Sequence, residues 1–577
     1  MDDKEKCNQN RKLFRDIVVD IKREIVPVNE KIDKIKEVEE QEQLPEEVVE
    51  VLEKKEKFRE RLKDKSKRNV QRLIYGRTLI IILLLLIQFF LLFSMVFWLK
   101  EYSTVIYAAF ELVALITVVV VMNRHENPMF KLAWIILILA MPVFGAALYL
   151  FVQNQFGFKV ITWRVKILSM ECKPYLKQKR ETKEILKKRN PHVAGTANYI
   201  SYSSGHPVYD HTVATYFPLG EDKFKQLLVE LSNAKKFIFM EYFIIKDGIM
   251  WDSVLEILKK KVKEGVEVRV MYDGLCTFTD VPANYPKVLR KYGIQTKVYG
   301  AIKPVLSTVQ NNRDHRKIAV IDGRVAFTGG VNLADEYINE HKRFGHWKDT
   351  AVMLQGEAVR SFTLMFLTMW NIDEKRQEKY EKYLLPAKAF QNIPSDGFVM
   401  PYGDCPFDDF YVAKHIYLDI LNTANRYVHI MTPYLILDNE TIEALCYAAR
   451  RGVDVKIILP HIPDKKYAFW LAKSYQEELL AGGVKIYEYT PGFVHAKVMV
   501  ADDNMAVIGS SNLDFRSFYL HYECGVYLYE NSEILKVEED VERTLKKCQE
   551  VLEGDWKQEK WYVQLLGKLL RLVAPLM

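Results

Sequence analysis

The chain has 577 residues, 49% hydrophobic and 27% charged, with seven cysteines; the length predicts more than one domain and the composition excludes a disordered, collagen-like or small disulfide-stapled protein. The cysteines (7, 172, 276, 405, 446, 524 and 548) are scattered, odd in number and never spaced CxxC, which predicts free, mostly buried thiols rather than a zinc ribbon or a disulfide framework. The net charge of +7, from 82 basic against 75 acidic side chains, is too balanced to name a partner.

From Phe14 onward, apolar residues at Ile17, Val18, Ile21, Ile25, Val28, Ile32 and Ile35 keep a helical period, interrupted by Pro27 and Pro45. Residues 1–77 are therefore expected to form a charged helical N-terminal region. Residues 28–53 hold ten acids against three bases, and residues 54–77 eleven bases against three acids. The basic half abuts three apolar runs, 78–99, 102–122 and 132–152, the first with 22 consecutive residues free of formal charge. A bilayer core is crossed by about 20 apolar residues, so 78–152 is expected to be a transmembrane block of two or three spans. A cleaved signal peptide is disfavoured because a long, mostly polar segment precedes the first run. Glu111, inside the second run, is expensive in hydrocarbon unless it faces protein, a polar cavity or a headgroup.

A basic flank beside a membrane span favours the cytoplasmic leaflet. Three spans would then put the chain beyond residue 152 outside, yet residues 159–189 carry eleven bases against three acids. Trp163 and Tyr175 among those bases mark residues 153–199 as a basic interfacial linker. The expected location is a multi-pass position in a cell membrane, with the side that holds the rest of the chain left open.

From about residue 200 the sequence repeats itself. NAKKFIFMEYF, WDSVLEILKKKVKEG and VEVRVMYDG are matched by TANRYVHIMTPY, NETIEALCYAARRG and VDVKIILP. Both read strand, helix, strand, with Gly265 or Gly452 closing the helix, so the fold class is α/β and each half is expected to carry a largely parallel sheet. The halves are placed at 200–395 and 396–550, with 551–577 as an amphipathic tail.

Each half then carries one motif. In DHRKIAVIDGRVAFTGGVNLAD, His315 is followed by Lys317, Asp322, Gly329 and Asn332; in VHAKVMVADDNMAVIGSSNLDF, His495 is followed at the same offsets by Lys497, Asp502, Gly509 and Asn512. One HxKx4D match is weak, whereas two in register after equivalent units are strong. On a strand, residues two apart share a face, so each histidine stands beside a fixed positive charge suited to a phosphoryl oxygen. A metal reading is poor, because the lysines would repel a cation.

These paired motifs resemble the phospholipase D superfamily over roughly residues 200 to 550, and LAWIILILAMPVFGAALYLF and WYVQLLGKLLRLVAPLM are similar to segments of bacterial cardiolipin synthases. The resemblance implies two pseudo-symmetric phospholipase D-like α/β domains behind transmembrane helices, with both motifs facing one active site. It implies His315 as nucleophile and His495 as general acid and then base, although the near-equivalent motifs leave the swapped assignment open. It further implies Lys317, Lys497, Asn332 and Asn512 as phosphate-binding groups, with no metal and no cofactor. Asp349 and Glu523, 34 and 28 residues beyond the histidines of their own motifs, match the histidine-orienting positions. Asp322 and Asp502 complete the catalytic motifs, with a role mainly in tying down the motif turn.

The implied activity is transfer of a phosphatidyl group between two phosphatidylglycerol molecules with release of glycerol, over a largely apolar approach to the site. The alternatives are another phosphatidyltransferase, a phospholipase D hydrolase or a membrane-tethered nuclease. Nucleic acid is not expected as partner, since the bases cluster beside the apolar runs rather than among aromatics of the repeats. No pattern in the sequence sets an oligomeric state.

Overall fold

A computed structural model describes residues 103–153, 156–300, 311–374 and 378–576, with a few positions between 82 and 94. The charged N-terminal region, Cys7 and most of the first apolar run lie outside the described residues. The second run forms helix α1 (Ser103–Met122), with Glu111 on its exposed face. Among the described residues α1 is the one helix long and apolar enough to cross a membrane.

The third run corrects the expectation of a further span. It breaks into α2 (Pro128–Ala140) and α3 (Pro142–Gln153), of 13 and 12 residues. At ~1.5 Å per residue each is about 20 Å long, short of the roughly 30 Å of a hydrocarbon core. Pro142 cannot continue the preceding helix, and Met141 leaves helical geometry at φ −140°, ψ 77°. Gly145 then lets α3 approach α2: a Cβ there would lie 2.7 Å from Leu137 O and Ile138 Cα. Helix α4 (Phe156–Cys172) leads on to the repeats.

The first repeat builds a seven-stranded sheet from β1 (Thr212–Phe217), β2 (Phe237–Tyr242), β3 (Glu267–Asp273), β4 (Gln295–Tyr299), β5 (Lys317–Ile321), β6 (Val325–Gly329) and, after the short β7 (His346–Lys348), β8 (Ala351–Gly356). The spatial order is β1-β8-β6-β5-β2-β3-β4. The second repeat supplies β9 (Phe398–Asp404), β10 (Tyr427–Met431), β11 (Leu435–Ile436), β12 (Asp454–Pro460), β13 (Lys485–Tyr489), β14 (Gly492–Val494), β15 (Val498–Ala501), β16 (Met505–Gly509), β17 (Leu513–Asp514), β18 (Glu523–Tyr529) and β19 (Cys548–Val551). Its eight-stranded sheet has the order β19-β13-β12-β10-β15-β16-β18-β9. This is the first order read from the other end, with β19 added at the edge.

The sheets are mixed, not largely parallel. Within the two large sheets only β2, β3 and β4, and their counterparts β10, β12 and β13, run parallel; the strands on the motif side pair antiparallel. The cause is local: each motif strand is followed by a tight turn. Asp322 and Gly323 take φ of 55° and 64° in the first turn, and Asp502 and Asp503 54° and 60° in the second. Such left-handed pairs close tight hairpins, here with three residues between Ile321 and Val325 and between Ala501 and Met505.

Parallel connections need a crossover helix, supplied by α5 (Ile249–Lys263) between β2 and β3 and, after α6 (Val359–Trp370) in the first repeat, by α7 (Asn439–Arg450) between β10 and β12. Alternation along each strand sends Ile238 and Met240 to an outer core with α5, and Phe237 and Phe239 to an inner one. That inner core is shared. Ile318 and Val320 of β5, Phe362 and Phe366 of α6, Val498 and Val500 of β15, and Val537 and Val541 of helix α8 (Glu533–Leu545) belong to it together.

The halves are locked through polar groups as well. β7 pairs in parallel with β14 across them, and Lys348 Nζ meets Asp540 at 2.6 Å with both side chains nearly buried. Tyr216 OH donates to the same carboxylate at 2.7 Å. Among the described cysteines all are free thiols, and four of the six are buried.

Candidate active site

The motif histidines sit two and three residues before β5 and β15. His315 N donates to Tyr522 O at 3.0 Å and His495 N to Lys348 O at 2.7 Å, so each is positioned by backbone from the opposite half. Asp314 bridges to Tyr522 in the same manner. Two sequence segments separated by 180 positions are thus brought to one place.

The orienting carboxylates are exchanged between the halves. Glu523 Oε1 accepts from His315 Nδ1 at 2.8 Å, and Asp349 Oδ2 from His495 Nδ1 at 2.6 Å. The structure therefore corrects the pairing within each motif: each histidine takes its carboxylate from the other repeat. With Nδ1–H held by a carboxylate, the lone pair of each ring is on Nε2.

The two sites are not equivalent. Around Asp349 the motif has Gly330, where a Cβ would fall 2.0 Å from Asp349 Oδ1, so only glycine permits that approach. The second motif has Ser510 instead, whose hydroxyl donates to Glu523 Oε2, while Ser517 Oγ donates to Oε1 at 2.8 Å. Ser517 reaches it from a π-helical turn, Arg516–Leu520.

Burial dominates the electrostatics. His315 is held well below the ordinary histidine range by burial, then by the charges of Lys317, His521 and Lys497. His495 is lowered to about 4 by burial and Lys497, against the opposing pull of Asp349. Lys317 falls to about 8 and Lys497 to about 7, both through burial. Glu523 is pushed up to about 8 by burial, offset in part by Lys317.

Each lysine ammonium donates to the carbonyl of its own motif histidine, which leaves further N–H groups on each. Aromatic rings flank both histidines. Phe243 meets the ring of His315 edge-on at 5.0 Å, and Tyr337 and Trp347 both lie 5.3 Å from the ring of His495. Among the described residues His315, His521 and Glu523 form a group with metal-ligand chemistry, but with Lys317 and Arg313 close by the site suits an anion better than a cation.

The comparisons with known proteins bear on this geometry. Residues 227–370 and 417–545 match the family model described as cardiolipin synthase, PLD-like domain, and residues 112–154 the phospholipase D-nuclease N-terminal model. A cardiolipin synthase of Halalkalibacterium halodurans is 33% identical over 480 residues, covering 82% of this chain and 94% of that one. The chain belongs to the cardiolipin synthase family. It is accordingly a phosphatidyltransferase of the phospholipase D superfamily. Cardiolipin synthase 2 of Bacillus cereus is also 33% identical, over 79% of this chain and 88% of that one. An uncharacterised protein of Streptococcus mutans is 48% identical over 80% of this chain and 99% of its own length. The crystal structure of phosphatidylserine synthase from Haemophilus influenzae, 14% identical, covers 67% of this chain and 100% of that chain with a TM-score of 0.50, a likeness of fold alone.

Within this cardiolipin synthase fold the remaining expected residues divide. Asp322 and Asp502, counted with the catalytic motifs, do not reach the site and have the turn-tying role also expected of them: each lies at the far end of its motif strand, five residues or roughly 16 Å beyond the lysine. Asp322 accepts the backbone N–H groups of Lys235, Lys236 and Phe237, and Asp502 those of Asn425, Arg426 and Tyr427. They tie the motif turn to the start of β2 or β10. Asn332 is buried, accepting from Ile244 N at 3.1 Å and donating to Tyr337 OH at 2.8 Å. Asn512 donates to Asp514 at 3.2 Å, so each amide retains one N–H for a ligand. Sequence reasoning missed Ser510, Ser517 and His521. The last stands two residues before Glu523 in HYE, the one local sign that could have marked it.

Proposed function

We propose that the protein is a membrane-associated cardiolipin synthase that transfers a phosphatidyl group from one phosphatidylglycerol to another and releases glycerol. The observation that carries this reading is the exchanged pairing, His315 with Glu523 and His495 with Asp349, which makes two oriented imidazoles and two lysines into one site in a chain of this family. His315 Nε2 attacks phosphorus, and the P–O bond to the headgroup glycerol breaks as His495, which first takes up a proton on Nε2 from solvent, delivers that proton to the leaving oxygen. The second phosphatidylglycerol then gives its hydroxyl proton to His495 and its oxygen to phosphorus, and the P–N bond breaks. Lys317 and Lys497 hold the non-bridging oxygens as charge gathers on them. Burial holds both rings in the neutral form, and at His495 the charge of Asp349 opposes that shift and favours uptake of a proton.

The exposed apolar surface of α1, α2 and α3 fits a chain held in the bilayer where both substrates reside, which raises their effective concentration. Helix α9 (Trp561–Val573) adds an apolar face with Trp561, Leu565 and Leu569 exposed. The test is the purified chain in phosphatidylglycerol vesicles, with cardiolipin and glycerol both measured. Equal amounts of the two are expected, unchanged by chelator. Phosphatidic acid as the main product would make the protein a hydrolase, and loss of activity in chelator would remove the metal-free mechanism.

A pH dependence arises from the lysines. An ammonium exists only below its own pKa, so anion binding should weaken as pH rises through 7 and 8, where Lys497 and then Lys317 lose their protons. The profile of kcat/KM, which reports the free enzyme, should therefore fall over that interval. Lys497→Met should remove the lower of the two steps; a wild-type profile flat between about pH 6 and 9 would refute the lysine role.

A further inference from the structure

His521 is the buried group of the site that the mechanism leaves unused. It lies between the π-helical turn and β18, its backbone N–H on Arg516 O at 2.9 Å. The residue is 9% exposed and neither ring nitrogen has a partner, although buried polar groups are ordinarily satisfied. Its nearest carboxylate oxygen, Glu523 Oε1, is 3.9 Å from Nδ1 and already accepts from His315 and Ser517. The imidazoles of His521 and His315 lie with centroids 5.6 Å apart and planes tilted by 44°. One nitrogen from each and a Glu523 oxygen fall within 4.8 Å of one another.

The surroundings choose the ligand. Arg516, Lys317, Arg313 and Lys465 all act on this ring, and with burial they keep it neutral. A neutral imidazole offers one N–H and one lone pair. A metal ion would meet four cations, whereas an anionic oxygen is attracted by all of them and needs the N–H that His521 holds unused.

We propose that His521 is a phosphoryl-binding residue, donating a ring N–H to a non-bridging oxygen of the phospholipid beside the attacking His315. It donates without giving up its proton, so no bond in the ring is made or broken during transfer. This rests on the substrate reading above and extends it, because it places a third donor on the nucleophile's side of the phosphoryl group. A contact made equally to substrate and transition state appears in KM rather than kcat.

Kinetics of His521→Phe in phosphatidylglycerol vesicles test it, beside binding of inorganic tungstate to the full detergent-solubilised chain by calorimetry. Loss of a hydrogen bond to an anion should raise KM and the tungstate Kd by roughly 10- to 100-fold, with kcat changed less than about threefold. His521→Asn, which keeps an amide donor, should restore most of both. Should the phenyl ring disturb the fold, His521→Ala gives the same comparison, with added imidazole expected to recover affinity. Wild-type KM and tungstate affinity in His521→Phe would overturn the proposal, as would an Asn variant as impaired as the Phe variant, since that marks a packing role. If the wild-type chain makes no cardiolipin but tungstate binding still tracks the N–H donor, the phosphoryl contact stands and the substrate reading fails.

Discussion

Replacing either motif histidine by alanine is expected to abolish cardiolipin formation, by at least about a thousandfold, because each variant removes a group that makes or breaks a bond and no neighbour can take its place. The two variants should fail at different points. With a phosphodiester whose leaving group departs unprotonated, such as a nitrophenyl ester, His495→Ala should still form the covalent phosphohistidine and accumulate it, since the base for the second step is missing. His315→Ala should form none. Labelled phosphoryl group retained on denatured protein distinguishes them, and label in His315→Ala but not in His495→Ala would exchange the two roles. Neither change should unfold the chain: each ring lies at the edge of a site whose backbone bonds, His315 N to Tyr522 O and His495 N to Lys348 O, survive truncation of the side chain.

The second large effect concerns the exchanged carboxylates. Asp349→Asn and Glu523→Gln preserve shape but replace the carboxyl group that fixes the histidine tautomer, which in comparable acid-base sites costs about 10²- to 10⁴-fold. Because Glu523 holds His315 and Asp349 holds His495, Glu523→Gln should slow formation of the covalent intermediate. Asp349→Asn should instead leave a rapid burst with the activated ester and slow its discharge. If each carboxylate served its own repeat, the two kinetic patterns would be interchanged. The experiment therefore reads the cross-repeat geometry directly, through rates that packing damage alone would lower together.

Much of this enzyme is legible in a single sequence because its chemistry is written in short, local patterns. The HxKx4D segments and GxxN repeat in register, so His315, Lys317, His495 and Lys497 could be named from spacing alone. Helix and strand in each repeat could be read from periodicity, and the structure has them in the same order. Sheet polarity was misread because the strand–helix–strand units are parallel while the motif strands after them turn back through Asp322–Gly323 and Asp502–Asp503, a feature of backbone sign and not of hydrophobic pattern. The apolar run at 132–152 scored as a span on composition, yet Pro142 and the close approach at Gly145 fold it into a short hairpin.

Asp322 and Asp502 show the same limit from the other side. Their identical offset from the lysines marks them as part of the motif, but an offset of five along a strand is distance, and it carries them out of reach of the phosphoryl group. His521 carried no signal beyond its place two residues before Glu523. What the sequence determined by itself was the inventory, namely two equivalent units, two histidines with their lysines, and an apolar block before them, since these depend on residue type and local period. What only the tertiary structure decided was which groups meet. Glu523 with His315, Asp349 with His495, and His521 beside His315 are contacts across separations of up to 208 residues, set by how two sheets pack on one shared core.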